Sequence, residues 1–157
     1  IRTGALPEDG VIARPLGKLT MVNCASPHYL TRFGYPQSPD DLTSHAIVRY
    51  TPHLGVHPLG FEVASVNGVQ WFKSGGMLTV NSSENYLTAG LAGLGIIQIP
   101  RIAVREALRA GRLIEVLPGY RAEPLSLSLV YPQRRELSRR VNLFMQWLAG
   151  VMKEYLD

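Results

Sequence analysis

Apolar and polar positions alternate along this chain with two periods, and the switches between them mark its elements. Residues 12–16 and 19–25 are rich in Ile, Leu, Val and Thr and predict strands. Ser26 then precedes Pro27, with Gly34 beyond: the cap, first-turn proline and terminal glycine of a short helix. Ser38-Pro39-Asp40-Asp41-Leu42 repeats that start. Residues 46–50 predict a strand, and residues 51–60, with two prolines and two glycines, a loop. Residues 61–66 and 69–73 flank Asn67-Gly68, a type I′ hairpin signal. Residues 77–80 predict another strand. Then Leu87, Leu91 and Leu94 recur at i, i+4 and i+7, one face of a helix. Asn81 is placed to cap that helix, with Glu84 three residues on as a capping box and Gly95 as its left-handed stop. A buried strand, Ile96-Ile97-Gln98-Ile99, follows and ends at Pro100.

A further helix is expected to run to about Ala110, with Ile102, Leu108 and small alanines inward and Gly111 as its stop. Residues 113–117 predict a strand ended by Pro118-Gly119. Leu125-Ser126-Leu127-Ser128-Leu129 alternates at period 2, so one face is buried. Ser138 caps a final helix whose stripe of Val141, Phe144, Leu148, Met152 and Tyr155 reads as core. Strands alternating with helices argue for α/β layers.

The stretch from Asn81 to Pro100 is also where chemistry is to be sought. A helix that begins directly after a strand presents free backbone N–H groups and a positive dipole end. With the Ser82 and Ser83 hydroxyls beside them, these groups suit a small polar or anionic molecule. The plainer role of the serines is to cap the helix. Gln98 stands out as an amide in an otherwise apolar strand, because a buried amide needs partners.

Composition narrows the classes. At 157 residues the chain is long enough for one ordinary domain or two small lobes, and 46% hydrophobic content is normal for a globular protein. No run approaches the roughly 18 apolar residues of a membrane span. Cys24 is the only cysteine, so no internal disulfide forms, which agrees with a reducing cytoplasm. The formal charge is +4, but the basic residues look dispersed; the densest group, Arg134-Arg135 with Arg139-Arg140, reads as a solvated loop and helix face.

Catalysis is the weaker class. His53 and His57 have the spacing of a helical metal pair, yet Pro52, Gly55 and Pro58 oppose a helix there, and no Glu sits beside His53. There is no Gly-x-Ser-x-Gly elbow. Gly90-Leu91-Ala92-Gly93-Leu94-Gly95 has the wrong glycine order for a dinucleotide fingerprint, so no cofactor is expected.

The order of features carries more than any one of them. Ile1-Arg2-Thr3-Gly4 and Ile12-Ala13-Arg14-Pro15-Leu16-Gly17 come first, then Cys24-Ala25-Ser26-Pro27-His28-Tyr29-Leu30 and Pro39-Asp40-Asp41-Leu42 with His45. The Asn81 segment, Ala110-Gly111-Arg112-Leu113 with Val116-Leu117-Pro118, and Val130-Tyr131-Pro132 complete the series. Over nearly its whole length the chain resembles the effector-binding domain of LysR-type bacterial transcriptional regulators. The resemblance implies a two-lobed α/β fold of the periplasmic-binding-protein type (type 2), with residues 1–22 a partial first lobe, 23–124 a complete second lobe, and 125–157 the return to the first lobe with the C-terminal helix. It implies a small-molecule effector in an inter-lobe cleft lined by Thr3, Gly4, Ser26, Asn81, Ser82, Ser83, Gln98, Ile99 and Pro100. Further implications are no catalytic residue, no metal and no membrane contact. The chain is then expected to be a fragment of a cytoplasmic homodimer or homotetramer that reaches DNA through an N-terminal helix-turn-helix. A fragment of this kind is expected to leave its final helix exposed or covered by another chain. The alternative on the same architecture is a solute-binding protein of a transport system.

Overall fold

The computed structural model describes residues 1–3, 11–51, 60–132 and 138–156. The histidines 53 and 57 lie outside the described residues. The chain divides into two units, residues 21–123 and residues 1–20 with 124–157.

The first of these is built around β3 (Met21–Ala25), of which four residues are buried. Such a strand can only be central. β8 (Ile97–Pro100) pairs antiparallel with it on one side and β9 (Ile114–Glu115) on the other. β4 (Ala46–Tyr50) and β7 (Gly75–Val80) form a parallel pair. β4 also meets the approach to β8, where Val48 N–H donates to Ile96 O at 3.1 Å and Ile96 N–H to Ala46 O at 2.9 Å.

Side-chain alternation then sorts the residues to two faces. Val22, Cys24, Ile97 and Ile99 pack with α2 (Ser83–Leu91) and α3 (Arg101–Arg109) through Tyr86, Ala89, Val104 and Ala107. Ala25, Ile47 and Ile96 pack on the other side with Tyr29 and Leu30 of α1 (Pro27–Phe33), and with Leu42 of the 3₁₀ turn Pro39–Ser44. Phe61 and Val63 of the hairpin β5 (Phe61–Ser65) and β6 (Gly68–Phe72) complete that side. Burying one such Ile or Leu contributes about 1.5–3 kcal/mol. These residues therefore hold the layers together.

The second unit is a three-stranded antiparallel sheet in the order β1 (Arg2–Thr3), β10 (Leu125–Pro132), β2 (Val11–Leu19). Leu127 and Leu129 are buried. The register slips between Leu127 and Ser128, opposite Gly17 and Pro15. Pro15 has no N–H to give, and a bulge on an edge strand is where a proline is tolerated. Helix α4 (Arg139–Met152) is capped by Ser138, whose hydroxyl accepts from Val141 N.

Several expected details are corrected. The first two strands divide at Thr20, so β2 extends through Leu19 and β3 begins at Met21. The hairpin turn falls on Val66 and Asn67, because Ser65 pairs with Gly68. Gly68 alone takes a positive φ, +106°, whereas a type I′ turn needs two such residues. Helix α2 begins one residue later than expected, with Ser82 and not Asn81 as its cap. It ends at Leu91, and Gly93 (φ +77°) is the left-handed residue. Leu94, past the helix end, is 50% exposed. Gly95 serves a different need, since a Cβ there would lie 2.5 Å from Ala46 O. On α3, Ala107 and Leu108 turn inward as expected, joined by buried Val104, but Ile102 is exposed. The strand expected at 113–117 is only Ile114–Glu115, because Leu117 is left-handed (φ +49°). In α4 only Met145 is buried; Val141 and Phe144 of the expected core stripe are exposed, as are Leu143 and Trp147, and Tyr155 falls beyond the helix end, exposed.

Candidate functional site

The start of α2 is built from its own side chains. After β7 the backbone is extended at Ser82 (φ −120°, ψ 136°), and the Ser82 hydroxyl accepts from Asn85 N at 3.4 Å. Glu84 folds back on the same turn. Its carboxylate accepts from Ser82 Oγ at 2.6 Å and from Ser83 Oγ at 3.4 Å. The Ser82 hydroxyl, then Glu84's own backbone N–H, hold this carboxyl below the usual carboxylate range. Negative charge is favoured at a helix N-terminus. Here the chain supplies that charge itself. Asn81, Ser83, Glu84 and Asn85 are exposed and Ser82 half-buried, so the turn is open to solvent.

Gln98 answers its demand for partners within the protein. Its Nε2 donates to Asn23 Oδ1 at 2.9 Å and to Glu62 O at 2.7 Å, and its Oε1 accepts from Glu62 N at 3.2 Å. Its backbone N–H donates to the Tyr86 hydroxyl at 2.8 Å. The residue thus ties β8 to β3, to the hairpin and to α2. Tyr86 is buried, and that burial raises its phenol pKa. Asn23 is fully buried, and its Nδ2 donates to Leu117 O at 3.2 Å and Tyr120 O at 2.9 Å. Those bonds support the left-handed turn at Leu117 that cuts β9 short.

Ser26 is buried as the cap of α1, accepting from Tyr29 N at 3.2 Å. A Cβ on Gly93 would stand 3.1 Å from its Oγ, so the turn after α2 sits directly on Ser26. Ile99 is buried with its backbone in register with Val22, and Pro100 occupies the cap position of α3. Thr3 is exposed in β1, opposite Leu127, in the other unit. Gly4 lies outside the described residues. The structure therefore brings Asn81, Ser82 and Ser83 into one open turn and commits Gln98 and Ser26 to partners in the fold.

Reading the sequence missed Asn23 and Glu62, and gave Glu84 a capping role without its bonds to the Ser82 and Ser83 hydroxyls. Asn23 carries the same signal as Gln98, a lone amide in an apolar strand. It also missed the pair Tyr29 and His45, whose Oη and Nδ1 lie 3.0 Å apart while Tyr29 Oη accepts from Ala46 N at 2.9 Å. Among the described residues no three metal-ligating side chains come together. No helix among them is long and apolar enough to cross a membrane.

Comparison with known proteins agrees with this architecture. Residues 1–153 match the family described as the LysR substrate binding domain. An uncharacterized HTH-type transcriptional regulator of Haemophilus influenzae is 34% identical over 141 residues, covering 90% of this chain and 48% of that protein. The HTH-type transcriptional activator AaeR of Escherichia coli is 30% identical over 156 residues, covering 98% of this chain and 49% of that protein. The regulatory domain of CrgA, a LysR-type transcriptional regulator from Neisseria meningitidis, superposes with a TM-score of 0.78 at 26% identity, covering 96% of this chain and 72% of that one. These relatives are transcriptional regulators, not enzymes, and the chain spans about half the length of the curated relatives it matches. The mixed α/β fold, its order of elements and the match over residues 1–153 place the chain in one family: it belongs to the LysR substrate-binding domains.

Proposed function

We propose that this chain is the effector-sensing part of a LysR-type transcriptional regulator, and that the open turn at the start of α2 receives a small polar or anionic metabolite. The supporting observation is the exposed Asn81-Ser82-Ser83 turn, whose two hydroxyls are held by Glu84 and not by the core. Glu84 acts as an internal stand-in. An anionic effector exchanges with that carboxylate, taking over the serine hydroxyls and the helix N-terminus, while a neutral effector binds beside it. The groups present suit reversible recognition, since hydroxyls and amides without an activating base do not transform a ligand.

Residues 21–123 serve as the second lobe, and residues 1–20 with 124–157 as part of the first. Thr3 and Gly4 are further candidate effector contacts in the complete parent. Only a difference in effector affinity between two states of the domain shifts their populations. The parent is a cytoplasmic homodimer or homotetramer that binds DNA through a helix-turn-helix and reads two-fold related half-sites.

The test is a thermal-shift screen of small carboxylates, amino acids and aromatic acids on the complete effector domain of the parent. A ligand at a hundred times its dissociation constant adds about 2.7 kcal/mol. Ser83→Ala is expected to weaken a hit up to roughly tenfold, the value of about one hydrogen bond. A hit whose affinity is unchanged in a stably folded Ser83→Ala protein sinks the site assignment.

A further inference from the structure

The parallel pair of β4 and β7 has the α2 turn at one end and a buried cation at the other. Tyr50 pairs with Val80, one residue before Asn81, whereas Ala46 pairs with Gly75 and Ile47 with Gly76. The five steps from Gly75 to Val80 put about 16 Å between the two ends. Arg49 of β4 sends its side chain to the end far from the turn, where Nη2 donates to Ser74 O at 2.9 Å. The guanidinium lies directly against Gly76: a Cβ there would stand 2.6 Å from Cζ and 2.7 Å from Nε. Any side chain at position 76 would push Arg49 aside, so the glycine makes its place.

Among the described residues, two buried side-chain atoms have no hydrogen-bond partner, Arg49 Nε and Ser74 Oγ. They belong to one contact. Nε and Nη2 form a single edge of the guanidinium fork, so the Nε–H is turned to the same side as the bond to Ser74. Buried polar atoms nearly always have partners, because one without a partner bears its full desolvation cost. The charge is unmatched as well. Among the described residues no carboxylate forms an ion pair with Arg49. Residues 52–59, outside the described residues, contain no Asp or Glu at all.

We propose that Arg49 and Ser74 hold one small inorganic anion of chloride size, which accepts from Arg49 Nε and from the Ser74 hydroxyl. Water would accept from Nε but leave the guanidinium charge unmatched, whereas an anion takes both donors and cancels the charge. Both atoms are closed to solvent, so the ligand is small, and an acid of effector size does not fit. The site is separate from the α2 turn and holds β4 to the segment that leads into β7.

The experiment is thermal unfolding of this chain while sodium chloride replaces sodium gluconate, from about 3 to about 300 mM chloride at constant ionic strength, so that screening does not change. Gluconate is too bulky for the site. An anion bound only by the folded chain raises the folding constant about tenfold for each tenfold rise above its dissociation constant, or roughly 3–6 °C in melting temperature for a chain of this size. Arg49→Gln is expected to lose this response. Ser74→Ala keeps the guanidinium and is expected to need up to about tenfold more chloride, the value of one hydrogen bond. Lys73→Gln, an equal charge change at the exposed neighbour of Ser74, is expected to respond like the unsubstituted chain. A crystal grown in bromide is expected to show an anomalous peak within hydrogen-bond reach of Nε and Oγ. The proposal is overturned if the melting temperature ignores chloride, in which case Ser74 Oγ or water serves Nε. It is overturned if a folded Arg49→Gln chain keeps the response, or if Lys73→Gln loses it, which would mark diffuse charge. Should Arg49→Gln not fold, Ser74→Ala decides, and an unchanged chloride dependence overturns the proposal. A bromide peak without a chloride response marks an adventitious ion only and overturns it too. None of these outcomes bears on the effector screen, so the two proposals fail separately.

Discussion

Replacing Gln98 by leucine tests whether this amide is a structural clamp. Leucine is close in volume and suits a strand, so packing changes little. Three hydrogen bonds are lost: those to Asn23 Oδ1, to Glu62 O and from Glu62 N. At about 0.5–1.5 kcal/mol each they come to about 3 kcal/mol together, and fully buried Asn23 has no water to turn to for its acceptor. That is about a 150-fold shift in the folding equilibrium, or roughly 6–12 °C in melting temperature for a chain of this size. Urea unfolding followed by circular dichroism measures it, with the midpoint expected to fall at an unchanged m-value. Gln98→Glu sharpens the test. An ionised carboxylate would face two acceptors, Asn23 Oδ1 and Glu62 O, with no proton to offer. This variant should be less stable than Gln98→Leu at pH 7 and recover as the pH is lowered and the carboxyl is protonated. A Gln98→Leu chain within 0.5 kcal/mol of the parent, by the measure of a typical surface change, would refute the clamp and return the amide to the list of effector contacts.

Three further outcomes are expected. Burial lowers the His45 pKa from its ordinary 6.5, with Asp41 partly offsetting it, so the neutral ring is the folded form. The unfolded chain then binds the proton first, and stability falls as pH drops below about 6.5; His45→Gln should flatten that limb of a stability–pH profile, and an unaltered limb would exclude His45 as its source. The Cys24 thiol is pushed up to about 12 by burial and then by the nearby Glu115, so a thiol reagent at pH 8 should label it only at the rate of unfolding; labelling as fast as a free thiol would contradict that. Gly90→Ala places a Cβ 2.6 Å from Cδ1, 3.0 Å from Cγ1 and 3.2 Å from Cγ2 of Ile97, a fully buried side chain. The overpacking of about 1–3 kcal/mol outweighs alanine's helix advantage of about 1 kcal/mol, and a more stable variant by urea unfolding would show that Ile97 can move.

What the sequence made legible depended on how far away each residue's partner lies. Ser26 with Pro27 and Gly34, Ser138, and Gly111 after α3 all answer needs met within about one helical turn, and the structure places each as the pattern predicts. Where two local solutions compete, the reading slips by a residue. Asn67-Gly68 admits a turn on either side of Asn67, and only the pairing of Ser65 with Gly68 decides between them. Ser82 likewise takes the cap from Asn81. The α4 stripe shows another limit: periodicity says that a helix has an apolar side, not what covers it, and Phe144 and Trp147 stand 55% and 61% exposed.

Gln98 marks the boundary most clearly. A lone amide between Ile97 and Ile99 can be read as a demand for partners, but those partners are 36 and 75 residues away in the chain, in Glu62 and Asn23. Both are supplied by strands that reach Gln98 only after the sheet and hairpin have formed. The same reasoning separates the two kinds of polar residue in this domain. An amide whose bonds are long-range and internal belongs to the fold, whereas the serines of the α2 turn, bonded only to Glu84 and Asn85 within three residues, can exchange the Glu84 carboxylate without disturbing the core. That difference in what must be broken makes the turn, and not the amide, the better place for a reversible ligand.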